Sequence, residues 1–146
     1  MMDLKPLFTD LVRLEIELWD SVDGRLRRET GLQLRDFLLI QVIGSTASCR
    51  VYSLVEQVGI TVGTASKAVD RLERAGHCTR RNNPQDRRSP IIELTEEGER
   101  LLATATLTVD SELEARLASA LSSESLDVLA DTIAKVRANR NENGGE

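Results

Sequence analysis

Residues 61–98 read TVGTASKAVDRLERAGHCTRRNNPQDRRSPIIELTEEG, and the changes of period inside this stretch decide the fold. From Thr61 to Ala75 apolar residues recur at helical spacing. Ala65, Val69, Leu72 and Ala75 form one inward stripe, while Gly63, Ser66, Lys67, Asp70 and Arg74 fall largely outside it. Thr61 places a side-chain oxygen where the first free N–H groups of a helix need an acceptor, and Gly76 can turn left-handed just past the helix end. The period then drops to two. His77–Arg81 and Ile91–Leu94 read as strands, and Asn82–Pro90 between them is a polar, turn-rich loop, so the pair makes a β-hairpin with Arg87 and Arg88 at its tip. Thr95 caps the next helix, whose Glu96, Glu97 and Glu99 suit the positive end of its dipole.

Working outward, a short helix, Ser53–Val58, closed by Gly59, precedes this stretch, with Arg50-Val51-Tyr52 ahead of it as a candidate short strand. A short helix, a glycine turn, a longer helix and a basic hairpin are the parts of a winged helix-turn-helix. Leu34–Ser45 is a densely apolar helix, and Lys5–Glu29 is a long one with Leu7, Leu11, Leu14, Leu18, Val22 and Leu26 along one side. Beyond the hairpin, Leu101, Ala105, Val109, Leu113 and Leu117 mark one helix. Leu126, Leu129, Ile133 and Val136 mark a last one beginning at Ser122 or Ser123, and the tail from Asn139 looks disordered. The expected fold is mainly α with a small β-hairpin wing. Residues 34–95 are expected to form the winged helix-turn-helix, and residues 1–33 and 96–146 to supply helices whose apolar stripes need a partner within one subunit or, as dimerisation helices, across two.

Charge locates the function. The 146 residues carry a net charge of −5, which by itself argues against nucleic acid. Between Thr61 and Pro90, however, Lys67, Arg71, Arg74, Arg80, Arg81, Arg87 and Arg88 face only Asp70, Glu73 and Asp86. This is an island of +4, which leaves −9 for the rest. Phosphate contacts depend on the local field and not on the total. The second helix of such a motif presents its N-terminal residues to the major groove. Val62, Gly63 and Thr64 are small enough to let it sit deep, and Ser66 and Lys67 can reach bases or phosphates. Arg87 and Arg88 can enter the adjacent minor groove, where negative potential concentrates. Asp86 would be repelled by phosphate and is expected to hold an arginine side chain in shape. Arg71 has two roles open to it: a phosphate contact, or an internal tie between helix and wing. Arg80 and Arg81 alternate along a strand, so only one of them can easily face DNA.

Other classes find little support. Cys49 and Cys78 form neither a disulfide framework nor a CxxC pair, and with His77 as the only histidine a zinc site lacks ligands. Both cysteines read as small buried packers. There is no glycine-rich phosphate loop and no Ser/His/Asp set, so no catalysis, cofactor or metal is expected. No apolar run reaches the length of a membrane span, and Met1–Pro6 lacks the pattern of a signal peptide, which makes the cytoplasm the expected location.

Asp86-Arg87-Arg88-Ser89-Pro90-Ile91-Ile92-Glu93-Leu94-Thr95-Glu96-Glu97-Gly98 resembles the wing signature of MarR-family regulators: Asp-x-Arg at the tip, a strand, then Leu-Thr-x-x-Gly opening a helix. Ser53–Glu56 and Thr64–Gly76 also look like that family, and the order of elements agrees over nearly the whole chain. The resemblance implies a homodimer held by interlocked first and last helices, binding a pseudo-palindromic site in double-stranded DNA. It further implies a repressor released by a small phenolic or anionic effector in a pocket whose neighbourhood here includes Trp19, Asp36 and Lys67. For Trp19 the plainer reading is packing at the dimer interface, and for Asp36 an exposed helix charge. Pro90 after the wing serine and Cys78 after Gly76 depart from the family pattern. The first helix has no cysteine, so the peroxide sensing of some relatives does not carry over. A winged module that binds protein and has lost DNA binding is the alternative, and a constitutive DNA binder with no effector is a third reading.

Overall fold

The computed structural model describes residues 1–143 and divides into two compact units, Met1–Val109 and the residues from Asp110 onward. The elements run α1 (Lys5–Thr30), α2 (Leu34–Ser45), α3 (Val51–Val58), α4 (Val62–Arg74), β1 (Cys78–Arg81), β2 (Ile91–Leu94), α5 (Glu96–Leu113), a π-helical turn (Glu114–Ala118) and α6 (Ser123–Asn143).

In the first unit the core gathers Val22 and Leu26 from the end of α1, Phe37, Leu39, Ile40 and Ile43 from α2, and Leu54 from α3. Ala65, Ala68, Val69 and Leu72 of α4, Ile91 and Ile92 of β2, and Ala105 of α5 complete it. On α4, Ala68 is buried where Ala75 was expected; Ala75 is the C-cap and lies exposed because the chain is already leaving the helix there. Thr61 does cap α4: its Oγ1 accepts the Thr64 N–H at 3.2 Å. Gly76 adopts φ 82°, a left-handed turn that a Cβ would strain, and it sends the chain directly into β1.

The hairpin is antiparallel, with Cys78 opposite Leu94 and Arg81 opposite Ile91. Arg50-Val51-Tyr52 is not a strand. Arg50 is the N-cap of α3, and its backbone N–H donates to Ser53 Oγ at 3.1 Å, so a local cap outcompetes the β preference of Val51 and Tyr52. One residue earlier, the Cys49 carbonyl accepts the Ile92 N–H at 2.7 Å, a single bond of the third strand that the sequence suggested.

Gly98 fixes how α5 leaves the wing. A Cβ at this position would lie 2.0 Å from the His77 carbonyl oxygen, so the helix can rest on the start of β1 only without a side chain there. Thr95 completes the junction: its hydroxyl donates to the Gly76 carbonyl at 2.6 Å and accepts the Gly98 N–H at 3.0 Å. Near the far end of α1, the Glu29 carboxylate accepts bonds from Arg25 and from the buried Thr108 of α5. Both hold its pKa below the ordinary value.

From Asp110 onward, the expected uninterrupted helix through Leu117 instead widens into the π turn. Leu126 and Leu129 of α6 are half-buried, whereas Ile133 and Val136 are exposed. The helix also continues through Asn143 where a disordered tail from Asn139 was expected; residues 144–146 lie outside the described residues.

Candidate nucleic-acid interface

Helix α4 has three faces. Ala65, Ala68, Val69 and Leu72 enter the core. Val62, Gly63, Thr64 and Lys67 are exposed at its N-terminal end, with Ser66 half-buried beside them. No Cβ-sized obstacle lies over Gly63, so this end of the helix can approach a groove floor closely. Thr61 donates its hydroxyl proton to Thr64 Oγ1 at 2.8 Å, which leaves the Thr64 hydroxyl proton free to point outward.

The wing is shaped by two side chains. Asp86 does not hold an arginine side chain as expected. Its Oδ1 accepts the backbone N–H of Arg88 at 3.0 Å, so it acts on the loop backbone and leaves both arginine side chains exposed. Asn83, which the sequence reading passed over, is the buried strut of the loop. Its amide donates to the Ser89 carbonyl at 3.1 Å, and its Oδ1 accepts the Gln85 N–H at 3.1 Å, closing the loop upon itself. An Asn two residues before a turn was the available signal, because such side chains commonly bond the backbone two residues on.

The basic island is partly neutralised from within. Arg71 ties α4 to α2, not to the wing: its guanidinium meets Asp36 with contacts of 2.5 and 3.4 Å. Asp36 is therefore neither an exposed helix charge nor open to a ligand, since it is buried and occupied. The bond to this carboxylate raises the Arg71 pKa further above its ordinary value. Arg80 bonds Asp70 at 2.7 Å and Glu73 at 3.3 Å, and Arg81 bonds Glu93 at 2.7 Å. Lys67, Arg74, Arg87 and Arg88 form no ion pair among the described residues.

The third face of α4 lines a cleft of about 520 Å³. Thr64, Lys67, Ala68 and Arg71 form one wall, and Trp19 of α1 with Arg35, Leu38 and Leu39 of α2 form the other. Trp19 and Lys67 thus line one cleft, while Asp36 is paired with Arg71 and is not among its lining residues. The walls combine cationic heads with an indole and aliphatic side chains, a lining suited to an anion with an apolar body. Both cysteines are buried free thiols. Burial raises the pKa of each, that of Cys78 to about 11, and so disfavours the thiolate form.

Residues 32–89 match the MarR family model. The chain also superposes on solved structures over almost all its length. Sco3205 of Streptomyces coelicolor, a MarR-family regulator solved in complex with DNA, is 22% identical, with a TM-score of 0.86 over 95% of this chain and 89% of that one. AbsC of the same organism, another MarR-family regulator, is 17% identical, with a TM-score of 0.87 over 97% of each chain. CouR of Rhodococcus jostii RHA1, solved with p-coumaroyl-CoA, is 25% identical, with a TM-score of 0.80 over 93% of this chain and 95% of that one. The segment that matches the MarR family model spans the helix-turn-helix and the wing tip, and the chain shares the winged helix-turn-helix fold of these MarR-family regulators.

Proposed function

We propose that this protein is a DNA-binding transcriptional repressor that acts as a homodimer on a pseudo-palindromic operator and is released by a small phenolic or anionic effector. The observation that carries this reading is the pairing of two exposed features: the small-residue end of α4 and the unpaired Arg87 and Arg88 of the wing. Val62, Gly63, Thr64, Ser66 and Lys67 would read the major groove, and Arg87 and Arg88 the minor groove or its phosphates. Arg71 would help by keeping α4 seated on α2. The solved relatives in complex with DNA support the assignment.

Residues 1–33 and 96–146 would form the dimer interface. On α1, Leu7, Phe8, Leu11, Leu14 and Ile16 remain exposed, an apolar run longer than a soluble single chain ordinarily shows to water. The effector would enter the cleft beside Trp19 and Lys67. Among the described residues no helix is long and apolar enough to cross a membrane, and the protein would work in the cytoplasm as a regulator without catalytic activity.

The test is fluorescence anisotropy of labelled DNA from the gene's own upstream region, against a scrambled duplex, over a salt series. Tighter, salt-sensitive binding to the native duplex supports the reading. Arg88→Ala should then lower affinity while fold and dimer persist. A folded protein with no salt-sensitive binding would leave a winged module that binds protein instead.

A further inference from the structure

The outward face of α4 carries a feature at odds with DNA binding. Asp70 lies on the solvent side with Gly63, Lys67 and Arg74, one helical turn apart from each neighbour, opposite the buried stripe. Glu73 flanks it. Two carboxylates on a helix that approaches phosphates should weaken association. Both are held by one residue of the wing strand. Arg80 Nη2 meets Asp70 Oδ1 at 2.7 Å, Arg80 Nη1 meets Glu73 Oε1 at 3.3 Å, and the Arg80 backbone N–H donates to Glu73 Oε2 at 3.0 Å. The Arg80 side chain is 24% exposed, against 54% for that of Asp70 and 42% for that of Glu73, so it is the most covered member of the cluster.

We infer that Arg80 is a positioning residue that masks the charge of Asp70 and Glu73 from DNA, setting the affinity of α4 without itself contacting phosphate. The inference rests on the DNA-binding reading above. Its geometry differs from that of Arg87 and Arg88, whose side chains extend freely. Both terminal nitrogens of Arg80 are committed to α4, and its strand neighbour Arg81 is committed to Glu93. Removing Arg80 takes this cluster from −1 to −2 in each chain, and two added charges per dimer roughly 8 Å from phosphate, in an aqueous dielectric, should weaken binding about fivefold. The effect should shrink as salt rises, because exposed charges are screened.

The experiment is a mutant cycle on the full-length dimer, read by anisotropy on a fluorescein-labelled mixed-sequence duplex three helical turns long. Arg80→Met is measured in the wild-type background and in an Asp70→Asn/Glu73→Gln background. Masking predicts about a fivefold loss in the first; with all three changes combined the cluster is neutral, against −1 in the wild type, and binding must be at least as tight as wild type. A triple variant that still binds more weakly than wild type would make Arg80 a direct contact and overturn the inference; no loss in the wild-type background would overturn it as well. A purely structural tether would lower the melting temperature and leave the salt dependence of the ratio flat. Should Arg80→Met fail to fold, the Asp70→Asn/Glu73→Gln variant decides alone: it must bind tighter than wild type, and equal or weaker binding refutes masking. A wild-type chain with no salt-dependent binding would take down the DNA-binding reading itself, an outcome distinct from all of these.

Discussion

Salt titration of the protein–DNA complex reads how many cations the protein commits to phosphate, and the ion pairs of this fold set that number. The island from Thr61 to Pro90 holds seven lysines and arginines, but Arg71, Arg80 and Arg81 are each bonded to a carboxylate of the same chain. Lys67, Arg74, Arg87 and Arg88 remain, four per chain and eight per dimer. Each neutralised phosphate contributes about −0.9 to the slope of log K against log salt, so the expected slope is about −7. If the whole island engaged phosphate, fourteen cations would give about −13. Anisotropy titrations between roughly 50 and 200 mM salt separate these values easily. A slope near −13 would refute the reasoning, because the three internal pairs would then have to open on DNA.

Three further outcomes follow from other parts of the fold. Arg88→Ala should weaken operator binding by about tenfold with an unchanged melting temperature, and a matching loss of stability would instead make Arg88 structural. Gly98→Ala, which drives a methyl group to 2.0 Å from a backbone oxygen, should cost about 3 kcal/mol and lower the melting temperature by about 10 °C; a melt within a degree or two of wild type would refute the close packing. Cys78, whose pKa is raised to about 11 chiefly by burial and then by Glu73, stays protonated in the folded state while the unfolded thiol ionises near its ordinary 9.0. Its contribution is therefore complete below pH 9 and is lost as the pH rises to about 11, a decline in urea-unfolding free energy of about 2 kcal/mol that Cys78→Ala should lack.

Local chemistry made most of the frame legible. The bounds of α2, the Thr61 cap, the Gly76 turn and the two strand ends are all set by residues within a few positions of one another, so spacing alone could find them. What escaped was non-local. Asp36 on a mostly apolar helix has the pattern of a solvent-facing charge, and only the arrival of Arg71, 35 positions later, makes its burial tolerable. Arg50-Val51-Tyr52 has strand-forming residues, yet the bond from Arg50 to Ser53 decided for helix. Asp86 was read by its charge, as a partner for an arginine side chain, whereas its short carboxylate bonds the nearest backbone N–H. Asn83 carried no charge and no period, and its one signal, an Asn ahead of a turn, did not show that the loop would close around it.

The same non-local contacts explain how one short helix could serve two ligands in the proposed mechanism. Thr64 and Lys67 stand at the N-terminal end of α4, among the residues assigned to DNA, and both also line the cleft opposite Trp19. Arg71, one turn further along that wall, holds the buried carboxylate of α2. An anion drawn into the cleft would therefore attract the Lys67 ammonium away from phosphate. It would also compete with Asp36 for the Arg71 guanidinium, loosening the bond that seats α4 on α2. Both effects oppose DNA binding, and linkage requires the reverse as well: DNA that engages Lys67 must weaken the effector by the same factor. The coupling would thus be carried by side chains common to the two sites, with no large rearrangement needed between them.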